Sequence, residues 1–105
     1  MKTVEYLLIC LMEEAAEVQQ IAAKCLRFGL DNYHPDDAEM KTNFDELRRE
    51  MDDLDAIRAM LQTLTSRQLK GDYYWETVQE KTSKVAHYMN VSRICGTLDE
   101  EEGAE

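Results

Sequence analysis

One hundred and five residues, 44% of them apolar, suffice for one domain around one core and exclude a second catalytic module. Acids outnumber bases 22 to 12, and a net charge of -10 disfavours a nucleic-acid backbone or an anionic membrane as partner while favouring divalent cations. The uncharged apolar run at 6–12 falls far short of the roughly 20 residues that span a bilayer, and Glu5 before it is unlike the basic start of a secretory leader. Cysteines at 10, 25 and 95 are odd in number and lack Cys-x-x-Cys spacing, which argues against a disulfide framework and a zinc site. A soluble protein of the reducing cytoplasm is expected.

Few glycines and one proline imply few, long elements. The first helix is predicted over 3–28, with Val4, Leu8, Leu11, Ala15, Val18, Ala22 and Cys25 as its packed seam. Gly29 stops it, and 31–41, with Asn32, Pro35 and several acids, reads as a non-helical loop. A second helix starts near Thr42 or Asn43, with Glu46 three residues after Asn43 as an imperfect capping box, and runs to about Gln68. Lys70 and Gly71 make a short connection suited to a helical hairpin. The third helix, 72–92, is expected to bury Trp75, Val78, Val85 and Met89, and Gly96 ends it. The class is all-α: one helical domain over 1–98, completed by a second copy of the chain, then an acidic, disordered tail over 99–105.

A second stripe runs beside the seam of the first helix: Leu7, Cys10, Glu14, Glu17, Ile21, Lys24, Phe28. On the second helix the row Leu47, Glu50, Leu54, Ile57, Leu61, Leu64 is interrupted by Glu50 and bordered by Asp53. Residues three apart on a helix share a face, so Glu14 with Glu17 and Glu50 with Asp53 form two carboxylate pincers. Facing each other, they would repel unless protonated or bridged by a cation, and hard oxygen ligands select Mg²⁺ or Mn²⁺. Mg²⁺ keeps waters and completes its shell with phosphates, which points to pyrophosphate chemistry. Glu13, Asp52 and Asp55 lie off the stripe and are expected to be solvated.

The segment Glu13-Glu14-Ala15-Ala16-Glu17-Val18, followed by Glu50-Met51-Asp52-Asp53-Leu54, resembles the E-x-x-E and E-x-x-D pair of the MazG-like, all-α nucleoside triphosphate pyrophosphohydrolases. Lys24-Cys25-Leu26-Arg27-Phe28-Gly29 and Asn43 match the intervening pieces of the small phage and bacterial members. Later residues, Lys84-Val85, Tyr88-Met89 and 92–96, resemble the closing part, so the likeness covers about 6–98. It implies a helical bundle that oligomerises to a dimer or tetramer. It also implies Mg²⁺-dependent hydrolysis of an NTP or dNTP to monophosphate and pyrophosphate, with Glu14, Glu17, Glu50 and Asp53 as metal-binding and catalytic residues. The interval from Glu17 to Glu50 is long for this family, which makes 31–41 an elaborated loop that can alter substrate access.

Lys24, two turns beyond Glu17 on that stripe, and Arg27, one turn beyond Lys24, are candidate phosphate ligands, each also able to pair with a surplus acid. Asn43 is a candidate cap or a contact to base or sugar. Phe28, Tyr33 and His34 can pack or meet a nucleobase. Tyr73, Tyr74 and Trp75 read as a core or subunit contact, and neither His34 nor His87 sits in a nucleophile motif. The competing class is a non-catalytic helical protein whose acidic surface binds a basic partner or mimics nucleic acid.

Overall fold

The computed structural model describes residues 1–100, and within them the chain is all-helical, with no strand. Among the described residues there are three helices, α1 (Thr3–Phe28), α2 (Asn43–Thr65) and α3 (Tyr74–Ile94). None is long and apolar enough to cross a membrane. The chain forms two compact units, Met1–Leu69 with α1 and α2, and a second from Lys70 onward with α3.

In the first unit α1 and α2 are packed antiparallel: Lys24 meets Glu46, and Thr3 and Leu7 share a groove with Ala59, Met60, Thr63 and Leu64. The core is Leu7, Ile21 and Cys25 of α1 and Leu61 of α2. The seam predicted for α1 is rotated from the one observed. Leu8 is 46% exposed, and Ala15 and Ala22 are exposed, whereas the covered positions are Val4, Leu7, Cys10, Leu11, Glu14, Val18, Ile21, Lys24 and Cys25. The two apolar stripes read from the sequence lie side by side, and one partner helix covers the strip between them. Their outer flanks stay in water.

Gly29 ends α1 as expected, its φ of 94° and ψ of 152° being open to glycine and strained for other residues. The loop then docks on the start of α2: Asn43 N–H donates to the Asn32 carbonyl at 2.8 Å, and Phe44 N–H to that of Leu30 at 2.9 Å. Thr42, and not Asn43, caps α2. Its hydroxyl accepts from Asp45 N–H at 3.1 Å while its own N–H donates to the Asp45 carboxylate at 3.0 Å, so the box is completed by Asp45 and not by Glu46. Those bonds hold the Asp45 carboxyl below its ordinary value. α2 ends at Thr65, short of Gln68, because Ser66 takes a left-handed conformation with φ 52° and ψ 33°.

In the second unit α3 begins at Tyr74, after a turn closed by Tyr74 N–H on the Gly71 carbonyl at 3.1 Å. Gly96, with φ 79°, follows its end. The expected burial of Trp75, Val78, Val85 and Met89 is not observed: α3 has no buried residue, and Trp75 is 76% exposed. A lone helix has no second surface in its own unit against which to bury an apolar stripe. Of the tail expected to be disordered, 101–105 lies outside the described residues, whereas the Asp99 carbonyl accepts from Arg93 Nε at 3.2 Å.

Candidate metal and phosphate site

Midway along the α1–α2 seam the facing positions turn from apolar to acidic. Glu14 occupies the place between Leu11 and Val18, and Glu50 and Asp53 rise from α2 opposite it. One carboxylate oxygen from each of the three lies within 4.8 Å of the others. Packing of the seam on both sides, through Leu7 and Leu61 at one end and Ile21 and Cys25 at the other, holds these acids together despite their charge. One oxygen of Glu14 and one of Glu50, their Oε2 atoms, are shut off from water and have no hydrogen-bond partner.

Glu17, one turn along α1, is exposed, yet its carboxylate lies close enough to share a proton with both Glu14 and Glu50. All four acids singled out in the sequence are thus brought into one cluster, three in mutual ligand range and Glu17 against two of them. Glu14 is held above the ordinary glutamate value of 4.5, first by desolvation and then by the charges of Glu17 and Asp53. Glu50 is raised first by its hydrogen bond with Glu17, then by desolvation and by the charges of Glu17, Asp53 and Glu14. Asp53 has a partner that spacing alone could have supplied: Arg49, four residues earlier, donates to it at 3.2 Å. Asp52 is exposed and turned away from the cluster, as are Glu13 and Asp55, the last pairing with Arg58.

Toward the loop end of the seam, Glu17, Lys24, Arg27, Glu46 and Glu50 line an open cleft of about 540 Å³. Lys24 lies in it, donating to Glu46 at 3.1 Å with both side chains about one-third exposed. Glu46 was not anticipated as that partner, although it sits one turn before Glu50 on the same face. The Arg27 guanidinium lies 5.4 Å from the centre of the Phe28 ring. Asn43 is 3% exposed and its amide donates to the Gly29 carbonyl at 2.8 Å, so its first role is to brace the loop on α2. Tyr73 and Trp75 belong to the second unit and are exposed.

The donor set is all-carboxylate, one oxygen on each of Glu14 and Glu50 is orphaned, and among the described residues no thiol or imidazole joins the three within ligand range. That chemistry fits a hard divalent cation such as Mg²⁺ or Mn²⁺ and does not fit zinc. Compared with family models, with curated proteins and with solved structures, the chain matches none.

Proposed function

We propose that this protein is a metal-dependent pyrophosphohydrolase of the MazG-like type, acting on a nucleoside triphosphate in the cytoplasm and working as a dimer or tetramer. The observation that carries the reading is the pair of orphaned, water-excluded oxygens on Glu14 and Glu50, set against Asp53 and Glu17 on a packed seam. Buried polar atoms are ordinarily satisfied, and mutually repelling acids that leave two such oxygens without a partner are what a bound cation would relieve. An acidic decoy surface has no need of carboxylates inside the helix interface, which favours the enzyme over the non-catalytic class.

Glu14, Glu50 and Asp53 would hold the cation, with Glu17 completing the set. A divalent ion bound there offsets phosphate charge and makes water a better nucleophile. Lys24 and Arg27, on the same face of α1, hold non-bridging phosphate oxygens; for Lys24 this means exchanging its pair with Glu46 for the substrate. Glu17, exposed beside the other three acids, would orient the attacking water and accept its proton. The water oxygen bonds to phosphorus, the bridging bond between the α- and β-phosphates breaks, and monophosphate and pyrophosphate leave.

The experiment is a panel of ordinary and modified NTPs and dNTPs with Mg²⁺ and Mn²⁺, read by pyrophosphate release. Wild type is expected to release pyrophosphate from at least one member, and Glu50→Gln from none. Silence across the panel refutes the hydrolase.

A further inference from the structure

The 29–42 loop does more than return the chain. Lys24, Phe28, Asn32, Tyr33, His34 and Asn43 line a second cleft of about 320 Å³, mostly apolar in its walls, beside the one that holds Glu17 and Glu50. Lys24 borders both. Phe28 and Tyr33 are 57% and 41% exposed, large aromatic rings left at the surface next to a cavity. From Glu17 to Lys24 the axial distance along α1 is about 10 Å, and Phe28 is roughly 6 Å beyond. The order along the helix is therefore carboxylates, cations, aromatic rings.

We propose that this cleft is the nucleobase subsite, and that its occupant is the base and sugar of a nucleoside triphosphate whose phosphates lie along Lys24 and Arg27. Only that phosphate end of the inference rests on the proposed hydrolase reading. The polar lining supplies donors for a base. His34 Nδ1 accepts from Asp36 N–H at 3.1 Å, so the neutral ring carries its proton on Nε2 and offers a donor. The Asn32 side-chain oxygen accepts from Tyr33 N–H at 2.9 Å, leaving its amide hydrogens as donors as well. One Asn43 hydrogen is committed to the Gly29 carbonyl. A cleft that offers donors beside aromatic rings can meet the carbonyl oxygens or unprotonated ring nitrogens that nucleobases present.

The test uses the intact, metal-free chain and uncharged nucleosides, so that neither phosphate nor cation contributes. Uridine, cytidine, guanosine and adenosine are titrated while the ring resonances of Phe28, Tyr33 and His34 are followed by NMR. At least one of the nucleosides should shift all three rings. Phe28→Ala and Tyr33→Ala should each weaken binding roughly 5- to 100-fold, as the loss of one stacking ring does, while leaving the thermal response to Mg²⁺ at its wild-type value. No ring shift with any nucleoside, or binding unchanged in both variants, overturns the proposal. Failure of the hydrolase reading looks different: the Mg²⁺ response and pyrophosphate release are lost in wild type, while the nucleoside shifts stand or fall by themselves.

Discussion

Replacing Glu50 by glutamine removes one charge from the cluster at nearly constant shape and tests the orphaned oxygen directly. A ligand that binds only the folded state stabilises it by RT ln(1 + [L]/Kd), so free Mg²⁺ at ten times its Kd contributes about 1.4 kcal/mol. For a domain of this size each kcal/mol moves Tm by roughly 4–8 °C, which gives a rise of roughly 6–11 °C in wild type. If losing one charged ligand weakens binding tenfold, the same Mg²⁺ raises the variant by only roughly 2–3 °C. The pH dependence has a definite sign. Glu14 and Glu50 keep their protons above 4.5 in the folded state, so from 4.5 up through their raised values the folded chain binds more protons than the unfolded. Metal-free stability therefore falls as pH rises through that window, and Glu50→Gln falls less steeply. Because metal competes with those protons, the Mg²⁺ shift in wild type grows over the same rise. The assay is differential scanning fluorimetry or calorimetry from pH 5 to 8, with EDTA or MgCl₂. Equal shifts in wild type and variant, or no Mg²⁺ shift in either, refute the reasoning.

Lys24→Ala loses a pair with Glu46 that is about one-third exposed and worth under about 1 kcal/mol, and should scarcely move Tm while raising KM for the triphosphate, read from initial rates at saturating Mg²⁺. Asn43→Ala leaves the Gly29 carbonyl without its buried partner and should cost roughly 1–3 kcal/mol in urea unfolding. Gly29→Ala meets no neighbouring atom, so any loss, of the order of 1–3 kcal/mol, comes from backbone strain at φ 94°; an unchanged urea midpoint would contradict that. Light scattering should give a multiple of 12.2 kDa for the intact chain, because the apolar residues of α3, Trp75 among them, need a second surface.

The extent of α1, the position of the loop and the gathering of Glu14, Glu17, Glu50 and Asp53 were legible in the sequence, because helical spacing of 100° per residue decides which acids share a face. The rotation of the α1 seam was not. Two apolar stripes and one partner helix leave the covered strip to be chosen by packing, and that strip took in Glu14 and left out Leu8 and Ala15. The Thr42–Asp45 box was overlooked because Asn43 and Glu46 carry the same spacing one residue later. Burial on α3 was unreadable for a related reason: periodicity names an apolar face without naming what covers it. The second cleft depends on the loop docking through Asn43 and Asn32, contacts made by backbone groups whose pairing no residue type announces.

The most direct measurement is the ³¹P NMR spectrum of an NTP turned over by the wild-type chain in Mg²⁺, with Glu17→Gln as control. Monophosphate and pyrophosphate should appear in equal amounts, without orthophosphate, and the control should leave the triphosphate intact. An unchanged triphosphate with the wild type, or orthophosphate and nucleoside diphosphate as products, would contradict a carboxylate cluster built to cut between the α- and β-phosphates.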